Sequence, residues 1–166
     1  MRKSFVSLAL VLTLVGVPVS VSMASTAQPG LPNSQVTPGA TNPKVTQANI
    51  SSTICVSGYT KTIRPLESYT YSLKRSQLLG GYNLNGDTAS ADYEEDHLVP
   101  LEVGGNPTSV KNLWPEPWLT TWNAGKKDQL ENKMHELVCA HAISLVAAQK
   151  IFMTNWITGY QKYVGG

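Results

Sequence analysis

The chain predicts a small mixed α+β domain closed by one disulfide, and three observations carry that prediction. Two apolar stripes of helical period end the sequence. Short extended stretches separated by Gly-rich turns fill its middle. A single pair of cysteines, Cys55 and Cys139, spans 84 positions between them.

The elements follow in order. Arg2 and Lys3 precede an uncharged apolar run from Phe5 to Val21, and Ser22-Met23-Ala24 fits the small-x-small cleavage pattern. Residues 1–24 therefore read as a secretory signal peptide, which predicts an exported protein, periplasmic or released. Residues 25–51 read as a flexible linker. Pro29, Pro32, Pro38 and Pro43 punctuate polar residues there, and Lys44 is the one charge. Such a composition offers little apolar surface to offset ordering entropy. Residues 52–166 are then the folded domain, of ordinary single-domain size.

Within it, Thr53 to Ser57 reads as a short strand. Leu66 to Leu79 reads as a helix with Pro65 in its first turn, ended by Gly80-Gly81. Ala89 to Glu95 and His97 to Val103 read as two extended pieces, followed by the loop Gly104-Gly105-Asn106-Pro107. Leu130, Met134, Leu137 and Val138 fall on one stripe of a helix. Ser144 can cap a second helix, to about Tyr163, with Leu145, Ala148, Phe152 and Trp156 on its buried face. His135 lies one turn from Glu131, the spacing of a surface pair. The prolines of Trp114-Pro115-Glu116-Pro117-Trp118 make that stretch extended, with the two tryptophans more core-like than ligand-stacking.

Charge and cysteine usage bound the function. The chain carries 13 Lys+Arg against 11 Asp+Glu, and removing Arg2 and Lys3 leaves eleven of each. A neutral mature chain lacks the global positive field of a tight nucleic-acid binder, so any grip on a polyanion is local. No segment after the signal is long and apolar enough to span a bilayer, which predicts no stable membrane association. An even cysteine pair in an exported chain predicts a Cys55–Cys139 disulfide. Its loop is worth about 4.5 kcal/mol on the chain-entropy account. Two cysteines are too few for a four-Cys structural zinc site.

The candidate chemistry lies between Tyr93 and Lys127. Phosphodiester hydrolysis needs a base to activate water, a cation to neutralise phosphate charge, and a group that holds the base in place. His97, whose ordinary pKa lies near neutrality, is the candidate base. Asp96 and Asn123 offer hard oxygens suited to Mg²⁺, which takes few protein ligands. Lys126 and Lys127 sit within the next helical turn, where a phosphate could meet them. In a regular strand Asp96 and His97 face opposite sides. Only a strand end or bulge brings both to one ion; otherwise Glu95, on the face of His97, is the better ligand.

In their order, Asp96-His97, Pro100-Leu101, Gly104-Gly105, Asn112-Leu113 and Asn123 with Lys126 or Lys127 resemble the HNH endonucleases of the His-Me finger, or ββα-metal, superfamily. The resemblance covers about 35 residues. It implies a ββα-metal core with flanking helices and a non-specific, Mg²⁺-dependent nuclease acting on nucleic acid, most readily DNA. His97 would be the general base, Asp96 and Asn123 the metal ligands, and Asn112 the asparagine that pins the loop behind the histidine. Asn123 stands where many such proteins carry His. Two other readings are compatible with the same residues: a non-catalytic envelope binding module, and a metal-dependent phosphoesterase for small substrates.

Overall fold

The computed structural model describes residues 29–165, so the signal-peptide reading and residues 25–28 lie outside the described residues. The described chain is mixed α+β. Its four α-helices are α1 (Tyr59–Ile63), α2 (Glu67–Leu79), α3 (Ala124–Cys139) and α4 (Leu145–Tyr163), and its strands are β1 (Tyr93–His97) and β2 (Leu113–Pro117). Three 3-10 turns, Gln47–Ser52, Ser90–Asp92 and Leu101–Val103, complete the order.

The strands pair antiparallel in unbroken register from Tyr93 opposite Pro117 to His97 opposite Leu113. Leu98 N–H donates to Asn112 O at 2.7 Å and Trp118 N–H to Asp92 O at 2.9 Å. These flanking bonds place the even-numbered residues in hydrogen-bonded pairs. Pro115 and Pro117 therefore turn their nitrogens away from the partner strand, where a missing N–H costs nothing. The outward carbonyls are covered by side chains. Lys74 Nζ donates to Tyr93 O at 2.7 Å, Gln77 Nε2 to Leu113 O at 3.0 Å, and Lys127 Nζ to His97 O at 2.9 Å.

The core sits between α3, α4 and the long connection joining the strands. Leu130, Met134 and Val138 of α3 meet Leu145, Ala148, Phe152 and Trp156 of α4, with Leu98, Val99 and Val103 beneath them. Both helical stripes read from the sequence are thus the packed faces. Ser144 caps α4 by accepting from Ala147 N–H at 3.2 Å. The Cys55–Cys139 disulfide is formed and ties the end of α3 to the turn that precedes α1.

Three expectations are corrected. Residues 29–51 are not a loose linker. Val45 and Ile50 are buried, Thr41 bridges Gly105, and Gly30 O accepts from the Trp156 indole at 2.8 Å. The same polar residues that suggest disorder lock successive turns: Asn33 and Asn42 each accept a bond from the backbone two residues on, and Asn49 bonds back to Thr46 N–H. Thr53 to Ser57 is a run of turns rather than a strand, with Cys55 N–H bonded to Ile50 O. The second strand is Leu113–Pro117, not His97 to Val103. Pro100 opens a 3-10 turn there, and Gly105 packs so close to Val99 O that a Cβ would lie 1.7 Å from it.

Candidate functional site

His97 ends β1, and its ring is 4 % exposed. Nε2 lies 2.9 Å from Pro107 O. A carbonyl only accepts, so Nε2 carries the proton and Nδ1 is left with its lone pair. Burial pushes the pKa of His97 below its ordinary value, and neighbouring Asp96 partly offsets this. The imidazole is accordingly neutral at neutral pH, as a base requires.

The loop supplying Pro107 is held by Asn112, which is fully buried. Its Nδ2 donates to Val99 O and to Asn106 O, each at 3.0 Å. Its Oδ1 accepts from Val99 N–H at 2.9 Å and from Ala40 N–H at 3.2 Å. One amide thus fastens both ends of the loop and the N-terminal wrap. A loop residue buried with its bonding capacity used in this way fixes the carbonyl that fixes His97.

Asp96 points the other way. The unbroken register leaves no bulge, so alternation puts Tyr93, Glu95 and His97 on one face and Glu94, Asp96, Trp114 and Glu116 on the other. On that second face stands Lys127, whose side chain is completely buried. Its ammonium bonds Asp96 Oδ2 and Glu131 Oε1, and Glu116 Oε2 is 3.8 Å away. One positive charge serves three carboxylates. Asp96 takes it: burial is the largest influence and would raise Asp96, but Lys127, Glu116 and His97 together outweigh burial and hold the carboxyl down at about 2. Burial pushes Glu116 well up and Glu131 up to about 8, against the pull of the Lys127 ammonium. The Lys127 ammonium is held charged by the same acids against its own burial.

These contacts correct three assignments. Lys127 is not placed to meet a phosphate, because it is sealed under the sheet. Asp96 is not free to ligate a cation, because an ammonium already occupies its carboxylate. Asn123 is the N-cap of α3, its Oδ1 accepting from Lys126 N–H at 3.1 Å. Lys126 lays its ammonium over the Trp122 ring, 4.6 Å from the centroid, and does not line the His97 cleft. His135 also leaves its expected partner: its Nε2 bonds Ile54 O at 2.9 Å, and Glu131 belongs to Lys127.

His97 opens on a cleft of about 470 Å³ walled by α2 and by the edge of β1, lined by Arg64, Tyr71, Lys74 and Glu95, with Glu94 and Trp118 reaching it from the other face of the hairpin. Of the residues singled out above as base, ligands, brace and phosphate contacts, only His97 and the alternative ligand Glu95 line it. Glu95 behaves unlike Asp96. Both its carboxylate oxygens are buried without a hydrogen-bond partner. Desolvation, then repulsion from Asp96, push its pKa up to about 8, and Lys74 only partly counters this. Glu94 is pushed up to about 7, chiefly by burial. An orphaned carboxylate beside a neutral imidazole fits a hard divalent cation. The Asp96–Asn123 pair does not fit one.

Glu95 was legible from strand alternation alone. Arg64 and Trp118 carried no local signal of belonging to the cleft, since the connection from α1 to α2 brings one there and the residue after β2 the other. Among the described residues the one grouping of three ligand atoms from His, Cys, Asp or Glu within 4.8 Å of one another is Cys55, His135 and Cys139, and its two sulfurs are joined as the disulfide. Comparison with protein-family models, with curated proteins and with solved structures finds no match to this chain.

Proposed function

We propose that this protein is an exported, metal-assisted endonuclease that hydrolyses phosphodiester bonds with His97 as general base. The proposal includes a ββα-type catalytic core formed by β1, β2 and α3. The observation that carries it is the anchoring of His97 Nε2 on Pro107 O, with Asn112 fixing the loop that bears that carbonyl. A base held in one tautomer at a cleft is the arrangement that proton abstraction from water demands.

In the reaction, His97 Nδ1 takes a proton from a water molecule whose oxygen attacks phosphorus. The Pro107 carbonyl steadies the imidazolium that results. Glu95, in its ionised form, would be the carboxylate to hold a divalent cation, most readily Mg²⁺. A cation there would neutralise the phosphate and stabilise the departing oxygen. Arg64 offers a positive charge to a flanking phosphate. Asp96 and Lys127 take no part in proton transfer; they lock β1 onto α3 and so hold His97 from behind.

His97→Ala is expected to abolish nicking of supercoiled plasmid that is otherwise sensitive to EDTA, with an unchanged circular dichroism spectrum. Undiminished nicking in that variant overturns the reading. One observation favours a second reading, a metal-free binding module. The Lys127 ammonium occupies Asp96, the carboxylate that the HNH resemblance assigns to metal. Calorimetric titration of the wild-type chain with Mg²⁺ separates the two, since the module binds no cation and cuts nothing.

A further inference from the structure

We propose that the His97 cleft takes single-stranded or locally unpaired nucleic acid, with Trp118 and Tyr71 as its base-stacking wall. This rests on the phosphodiesterase reading and names its substrate class. Both rings line the cleft beside His97. They are 40 % and 54 % exposed, whereas Trp114, on the same strand, is 2 % exposed and belongs to the core. Trp118 is not loosely hung. Its N–H bonds Asp92 O at 2.9 Å, continuing the strand ladder one pair past β2, so the ring springs from a fixed backbone. A rigid aromatic at the edge of a nucleotide-sized cleft offers a stacking surface that any base can use. Inside a duplex each base is already stacked on its neighbours, and only an unpaired base presents a free face to such a ring.

Charge points the same way. Lys74 spends its ammonium on the carbonyls of Ser90 and Tyr93, at 2.8 and 2.7 Å. Arg64 is in no ion pair among the described residues, which leaves one guanidinium in the cleft for a phosphate. Glu67, Glu94 and Glu95 line the same cleft and oppose a second phosphate there. A chain of net charge +2, with a single free cation at its cleft, cannot rely on the many phosphate contacts that grip duplex DNA. Stacking must carry a large share of the affinity, and the salt dependence should be shallow.

The test uses the His97→Ala chain, which keeps the cleft and does not cut. Fluorescence anisotropy compares a labelled oligothymidylate with a duplex of equal length. The single strand is expected to bind at least about fivefold more tightly, the worth of one stacked base. Adding Trp118→Ala should remove about that factor, and Tyr71→Ala part of it. Equal or tighter duplex binding, or single-strand binding indifferent to both aromatic changes, overturns the proposal. If the wild-type chain still nicks plasmid in either of those cases, the hydrolase reading stands and only the substrate class falls. A chain that binds neither form and cuts nothing loses both.

Discussion

On one face of the β1–β2 hairpin, Asp96 and Glu116 close onto Lys127 and Glu131 with no access to solvent for the ammonium. On the other, Glu95 and His97 border a cleft, and the two Glu95 oxygens have no partner at all. Both faces come from one run of acids, Glu94-Glu95-Asp96, and strand alternation deals them out. The difference teaches that a charged residue beside a histidine need not share its chemistry. The pair Asp96-His97 reads as one site in the sequence, yet its members serve opposite sides of a sheet. The Lys127 face is structural, since a buried ion pair mainly restricts conformation, although both Glu116 oxygens there lack a hydrogen-bond partner. The open face stores its unfavourable carboxylate at a cleft, beside a histidine that lines the same cleft, which is the usual signature of a functional position.

The sharpest way to break this comparison is to remove the shared cation. Lys127→Met leaves Asp96 buried with no partner and strips the His97 carbonyl of a donor. A loss of roughly 3–5 kcal/mol is expected in urea unfolding, the range seen when one member of a buried pair is deleted. A loss under about 1 kcal/mol, typical of an exposed pair, would mean that Lys127 does not hold the sheet to α3. Asn112→Ala comes next. It strands buried backbone groups of Val99 and should cost about 1–3 kcal/mol for each group left unpaired. Its effect on the open face should be larger in rate than in binding. If the Pro107 carbonyl drifts, His97 loses its tautomer, and kcat should drop on the order of a hundredfold with KM little changed. Equal weakening of both constants would make Asn112 merely structural.

How much of this was readable beforehand depended on how local each cause is. The stripes of α3 and α4, the Ser144 cap and the disulfide were legible because period, capping chemistry and an even cysteine pair act over short or unambiguous ranges. The role of Asn112 was legible only through the resemblance, since nothing near it in sequence names Val99 or Ala40 as partners. The second strand was misplaced because Pro100 and Gly105 break the stretch that looked extended, and the prolines of β2 hid a strand whose edge tolerates them. Residues 29–51 misled for a related reason. Turn-forming residues signal loose chain, but here Asn33, Asn42 and Asn49 lock nearby backbone and the Gly30 carbonyl accepts from the distant Trp156 indole. Lys127 was misjudged because a lysine near a helix start is ordinarily solvated. Only the convergence of β1, β2 and α3 surrounds it with acids.

A smaller effect separates the two faces by the sign of their pH dependence. Glu95 has a folded-state pKa of about 8 against an ordinary 4.5. Its favourable contribution is therefore complete below the ordinary value and is lost as pH rises through about 8. Asp96 is the reverse, at about 2 against 3.8: its contribution is present above 3.8 and disappears as pH falls through about 2. Glu95→Gln, neutral at every pH, should match the wild type near about pH 5 and exceed it in Tm near about pH 9, in metal-free buffer. It will not flatten the profile fully, because Glu94 and Glu131 are also raised, to about 7 and 8. Asp96→Asn should melt below the wild type throughout the neutral range, since Lys127 loses the acid that carries its counter-charge. Adding Mg²⁺ tightens the contrast. It should raise the Tm of the wild type and of Asp96→Asn, and leave Glu95→Gln unmoved, because only the open face has a carboxylate to give. Should Glu95→Gln lose stability with rising pH in step with the wild type and still respond to Mg²⁺, Glu95 is neither the strained acid nor the ligand, and the asymmetry between the faces must lie elsewhere.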